Sequence, residues 1–211
     1  MISDESHYLG LAAAYCRGRL GELGDDAAAV AAGEEAGLRL HRFKRSAELP
    51  RVRRVIGALR GLAPESLLDI GTGRGVFLWP LVDAMPEVRV LAIDRLAHRV
   101  ADLAAVGRGG VERLSAARMD AVRLALADGA VDVVTILEVL EHMPAPESAA
   151  REAVRVARRA VVATVPSHED DNPEHIHLFD GERLDAMFRG AGARRVAIEH
   201  VRGHIVAVAL R

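Results

Sequence analysis

The sequence predicts an α/β fold: a doubly wound, seven-stranded, mostly parallel sheet with helices on both faces, a C-terminal antiparallel hairpin and an N-terminal helical extension. Three observations carry that expectation. Short apolar runs alternate with helical patterns from Leu67 onward. The first run, Leu67-Leu68-Asp69-Ile70, ends in a glycine-rich turn that opens a helix. Two β-like runs flank Arg202-Gly203 at the end of the chain. Residues 1–48 are expected to form the extension and residues 49–211 the domain proper.

From Tyr8 to Gly37 the pattern is alanine-rich and helical, interrupted at Gly18, Gly21 and Gly24, with Asp25 or Asp26 as cap of a second helix. Pro50 suits the first position of a helix whose buried stripe is Val52, Val55, Ile56 and Leu59. After the strand at Leu67, a helix over Val76 to Ala84 contains Pro80, which kinks it or marks a late first turn. Val88 to Ile93 is the second strand, Ala97 to Val106 a helix, and Val111 to Ala116 the third strand. Ala130 to Leu137 is the fourth and most apolar, and Val161 to Val165 the fifth. A helix running to Arg189 precedes the hairpin strands Arg195 to Val201 and Ile205 to Leu210.

Composition narrows the function. With 211 residues the chain is long enough for one core without disulfide or metal. Cys16, the single cysteine, fits a reducing compartment. The first residues lack the basic region and apolar core of a signal peptide, and no apolar run is long enough to span a bilayer, so the expectation is a soluble cytoplasmic protein with no membrane partner. A formal net charge of -2 gives no global attraction to nucleic acid. The local exception is Arg39 to Arg60, dense in arginine, which reads as a solvated helix face or as a phosphate-binding surface such as RNA would need.

Asp69-Ile70-Gly71-Thr72-Gly73-Arg74-Gly75 is the organising motif. Glycines there allow positive φ and bring a ligand close to main-chain N–H groups at a helix N-terminus. The spacing is G-x-G-x-G, whereas a dinucleotide fingerprint would need its third glycine where Val76 stands, so NAD fits poorly. This stretch resembles the first motif of the class I S-adenosylmethionine-dependent methyltransferases, and the resemblance spans about Leu49 to Arg211. It implies a Rossmann-like fold and cofactor contacts from Asp69, Gly71, Thr72, Gly73, Gly75 and Leu137. It also implies ribose recognition by Asp94 and adenine recognition by Asp120 and Met119. Asp120 serves equally well as the cap of a following short helix.

The fourth strand leads into Glu138-Val139-Leu140-Glu141-His142. If this stretch turns helically, the three titratable side chains converge, and two carboxylates with an imidazole suit Mg²⁺, Mn²⁺ or Zn²⁺. Such an E-x-x-E-H stretch with a later histidine resembles both the ubiquinone-pathway O-methyltransferases and the small-RNA 3′-terminal ribose 2′-O-methyltransferases. By that resemblance Glu138, Glu141 and His142 are ligands, completed by His177 or, alternatively, His175. Without metal, His142 serves as general base, with Glu138 beside it as the other candidate catalytic group. The expected activity is methyl transfer to a hydroxyl oxygen of a small molecule. RNA ribose methylation and a non-catalytic cofactor-binding module are the alternatives.

Overall fold

The computed structural model describes residues 5–45, 49–169 and 171–211. The strands are β1 (Ser66–Ile70), β2 (Arg89–Asp94), β3 (Leu114–Arg118), β4 (Val131–Leu137), β5 (Ala157–Pro166), β6 (Arg195–Val201) and β7 (His204–Leu210). They form one sheet in the order β3-β2-β1-β4-β5-β7-β6. From β3 to β5 all neighbours are parallel, while β7 runs antiparallel to both β5 and β6. The chain steps from β1 outward to β3 and then returns to lay β4 on the other side of β1. Strand order therefore reverses between β1 and β4, and the crevice beyond their carboxyl ends is where such a sheet holds its ligand. Ile70 pairs with Ile136, so the loops leaving these two strands emerge side by side.

The helices are α1 (Leu9–Leu20), α2 (Asp26–Glu35), α3 (Pro50–Leu62), α4 (Leu78–Ala84), α5 (Ala97–Arg108), α6 (Pro146–Val156) and α7 (Gly181–Gly190). On one face of the sheet α1, α3 and α5 share an apolar cluster with Val90, Val133 and Val162. On the other, α6 and α7 pack over Leu68, Val134 and Val161. In α3 the expected stripe Val52, Val55, Ile56 and Leu59 is buried. Asp25 caps α2, its side chain accepting from the Ala28 N–H.

Several local expectations are corrected. The first helix runs through Gly18 and ends at Gly21. Gly18 is needed for close approach instead, since a Cβ there would lie 1.8 Å from the Ala105 carbonyl oxygen of α5. The third strand begins at Leu114 because Val111 is held in the turn after α5, accepting from the Leu114 N–H at 2.9 Å. Residues 76–77 belong to the glycine turn, which puts Pro80 in the first turn of α4 where its missing N–H costs nothing. The sequence pattern alone assigns no element to α6, although Pro146 at its start and the buried Ala149, Ala150, Ala153 and Val154 give it a helical stripe. Most consequential, Glu138 to His142 is not a continuous helix. Glu138 leaves β4 with φ 55° while its N–H still donates to the Thr164 carbonyl, and only Leu140–His142 makes a 3₁₀ turn.

Candidate active site

Gly71, Gly73 and Gly75 take φ values of 71°, 62° and 84°. The flanking two also answer packing demands. A Cβ on Gly71 would lie 2.5 Å from Val139, and one on Gly75 would lie 2.2 Å from the Trp79 ring, whose Nε1–H donates to the Arg74 carbonyl. Among the described residues Gly73 has no neighbour that near, its closest being 3.7 Å away, so it presents bare backbone to open space. Above it lies a cavity of about 280 Å³. Its floor is the loop from Gly71 to Arg74 with Asp69 and Leu137. Glu138 and Thr164 form one wall, and Arg51, Val52 and Val55 of α3 form another.

Asp69 lines this cavity yet is almost wholly buried, and its carboxylate accepts from the Thr135 hydroxyl at 2.7 Å. Burial pushes its pKa up to about 6; the Thr135 hydroxyl pulls the other way, and the charge of Asp94 adds to the rise. A buried carboxylate facing a cavity favours a cationic ligand group, which restores the solvation it has lost. Asp94, at the end of β2, accepts from the N–H groups of Gly73 (3.1 Å) and Leu96 (2.9 Å), and from Arg99 at 3.4 Å. It thus ties the glycine loop to the end of β2.

At the wall of the cavity the Glu138 carboxylate accepts from the Thr164 hydroxyl at 2.7 Å, meets His204 Nε2 at 3.0 Å and lies 3.8 Å from Arg51 Nε. A non-glycine residue in the left-handed region costs about 1–3 kcal/mol and persists where surrounding contacts over-determine it. Three side chains from three different elements do so here. Thr164, His204, Thr135 and Val52 are members of the site that sequence motifs alone do not single out as functional.

A family pattern described as a methyltransferase domain matches residues 68–163, from β1 into β5. That match covers 96 of the 211 residues. The ubiquinone biosynthesis O-methyltransferase of Cupriavidus pinatubonensis is 34% identical over 103 residues, covering 49% of this chain and 41% of that protein. The malonyl-[acyl-carrier protein] O-methyltransferase of Geobacter sulfurreducens is 32% identical over 96 residues, covering 46% and 36%. The chain thus spans about two fifths of the length of the curated relatives it matches. A methyltransferase structure from Aquifex aeolicus shares the fold, with TM-score 0.63 and 21% identity over 78% of this chain and 91% of that one.

The remaining site residues expected from the sequence fall in three places. Leu137 lines the cavity, whereas Met119 packs against the α6–α7 side of the core and Asp120 accepts from the Val122 N–H in a tight turn. Glu141, His142 and His175 bring potential ligand atoms within 4.8 Å of one another. Glu138 stands apart from them because its backbone turns away before the 3₁₀ turn begins, and His177 Nε2 meets the Met143 carbonyl at 2.9 Å instead. The basic segment is partly spent on acids. Arg42 pairs with Asp102, Arg45 with Asp83, and Arg54 with Glu199. Among the described residues no helix is long and apolar enough to cross a membrane.

Proposed function

We propose that the protein transfers the methyl group of S-adenosylmethionine to a hydroxyl oxygen of a small acceptor, with Glu138 receiving the hydroxyl proton. The observation that carries this reading is the Glu138 carboxylate, held in the same cavity as Asp69 and the bare backbone of Gly73. The site fits the cofactor: a buried acid for an ammonium group, and a glycine where a Cβ would project into the ligand's space. When bound, S-adenosylmethionine would supply a sulfonium methyl whose carbon an in-line oxygen can attack, the C–S bond breaking to leave S-adenosylhomocysteine. Asp69 holds the amino group, the glycine loop packs against the nucleoside, and Glu138, kept in orientation by Thr164 and His204, takes the proton as the oxygen attacks. Relatives named as O-methyltransferases support oxygen as the receiving atom, and the one named for ubiquinone biosynthesis supports a small molecule as its carrier. The test is transfer of labelled methyl to phenols, catechols and hydroxy acids by wild type and Glu138→Gln. No labelled oxygen product, or a variant as active as wild type, would sink the reading.

A second reading adds a divalent ion, favoured by the convergence of Glu141, His142 and His175. Such a donor set of one carboxylate and two imidazoles suits Mn²⁺ or Zn²⁺ better than Mg²⁺, which prefers oxygen ligands. Calorimetric titration of metal-stripped protein with Mn²⁺ should show saturable binding that Glu141→Ala removes; absence of binding would discard the ion. RNA as acceptor draws on the same cluster, and a lack of salt-sensitive RNA affinity would eliminate it.

A further inference from the structure

The chain has one tryptophan, and it stands behind the glycine loop. Trp79 is almost wholly buried, and its ring fills the place that a side chain on Gly75 would take. Its Nε1–H donates to the Arg74 carbonyl at 3.0 Å. That bond holds the peptide joining Arg74 to Gly75, whose N–H donates in turn to the Thr72 carbonyl at 3.0 Å. The N–H groups of Gly71 and Thr72 go to the Ile93 carbonyl, and that of Gly73 goes to Asp94. Among the described residues the Arg74 N–H is the one in the loop 71–75, apart from any glycine, that has no partner, and Arg74 lines the cavity. An unspent amide N–H beside ligand space is a hydrogen-bond donor for that ligand, and it is effective only if its neighbouring peptide keeps one orientation.

What backs Trp79 comes from far away in the sequence. The buried Phe43 ring lies 4.9 Å from the Trp79 ring, tilted by 38°, and 5.5 Å from the ring of Tyr15. Tilted contacts of this kind stabilise beyond the area they bury. Phe43 is fixed in its own right, since its carbonyl accepts from the Tyr8 N–H at 2.9 Å. Its neighbour Arg42 pairs with Asp102 of α5, which also accepts from the Tyr15 hydroxyl at 3.0 Å. The segment before α3 lies outside the family match at residues 68–163, yet a row of buried rings joins it to the glycine loop.

We propose that Trp79 is a positioning residue for the cofactor: it holds the Arg74 carbonyl so that the adjoining Arg74 N–H stays available to the ligand, and Phe43 of the N-terminal segment keeps Trp79 in place. The N-terminal helices then serve cofactor affinity as well as covering the sheet. This inference rests on the cofactor reading of the proposed function. A tryptophan that only filled the core would carry stability without affinity, and the test reads that difference.

Equilibrium binding of S-adenosylhomocysteine and urea unfolding are measured on the full chain as wild type, Trp79→Phe, Phe43→Leu, the two combined, and Phe188→Leu. Phe188 is as buried as Phe43 but belongs to the apolar cluster of α6 and α7, so its variant removes the same core volume on the other face of the sheet. Trp79→Phe keeps a ring and loses the N–H, and it should weaken binding about 3–10-fold, the range for one hydrogen bond. Phe43→Leu should weaken it about 3–10-fold as well, the range for one aromatic pair. Phe188→Leu should lower the unfolding midpoint about as much as Phe43→Leu while changing affinity less than about twofold. Because Phe43 acts through Trp79, adding Phe43→Leu to Trp79→Phe should weaken binding by less than about twofold more, where independent effects would multiply. Unchanged affinity in both Trp79→Phe and Phe43→Leu, an equal loss in Phe188→Leu, or full multiplication in the combined variant overturns the proposal. Should Trp79→Phe fail to fold, the comparison of Phe43→Leu with Phe188→Leu decides alone. Failure of wild type to bind S-adenosylhomocysteine would refute the cofactor reading itself, and this inference would fall with it.

Discussion

Asp69→Asn separates the cost of the buried acid from its use. In the folded protein its pKa stands at about 6, against a reference of 3.8. That difference is worth about 3 kcal/mol at 1.36 kcal/mol per unit. The folded value is the higher one, so the folded state binds the extra proton. Below the unfolded value the carboxyl is protonated in both states and carries no penalty; stability then falls as pH rises toward about 6 and stays reduced above it. Asparagine keeps an acceptor for Thr135 and removes the charge. The variant should therefore be about 1–3 kcal/mol more stable than wild type at pH 8 and nearly equal to it at pH 4, as read by urea denaturation. Binding should move the opposite way. Wild type should lose S-adenosylhomocysteine affinity roughly tenfold per unit as pH drops below about 6, because the cationic amino group needs the ionised acid. The variant should bind weakly and without that slope. A wild-type affinity that is flat from pH 5 to 8, or an asparagine variant less stable at pH 8 with affinity intact, would refute this account of Asp69.

Other consequences are more local. Gly75→Ala should lower stability by about 2–4 kcal/mol in denaturant titrations, combining a φ of 84° with a Cβ 2.2 Å from the Trp79 ring; a neutral result would mean that the loop repacks freely. Glu138→Gly should raise stability by about 1 kcal/mol by relieving left-handed backbone while abolishing methyl transfer, and loss of both properties would argue that Glu138 is structural. Gly109→Ala should disrupt packing of α1 on α5 by about 3 kcal/mol or more, since its Cβ would lie 1.7 Å from the Ala14 carbonyl; thermal unfolding checks this. Arg54→Met should cost under about 1 kcal/mol, as its pair with Glu199 is largely exposed, and a larger loss would make that pair a structural anchor of α3.

The topology was legible because strand and helix periods alternate cleanly, and the glycine motif with its following helix marks β1. What local patterns could not show was direction. Glu138, Glu141 and His142 look convergent only if the backbone continues as a helix, and the left-handed residue at 138 sends one carboxylate to the cavity and leaves the other with His142. The signal available was Thr135 and Thr164, polar residues inside the otherwise apolar runs 133–137 and 160–165, each buried and each donating to a site carboxylate. Gly18 misled for a related reason: a glycine reads as a helix breaker until the partner helix that needs its missing Cβ is known. Arg51 was legible as charge, but the cavity it faces exists only once folding sets Arg51, Val52 and Val55 around the same space as Leu137, Glu138 and Thr164.

The cavity over Gly71 to Arg74 should hold S-adenosylmethionine. Equilibrium binding of labelled S-adenosylmethionine at pH 7.5, with S-adenosylhomocysteine and NAD as competitors, tests it most directly. Binding should saturate at a single site, be displaced by S-adenosylhomocysteine, be indifferent to NAD and be strongly weakened in Asp69→Asn. No saturable binding, or binding that NAD displaces as readily, would contradict it.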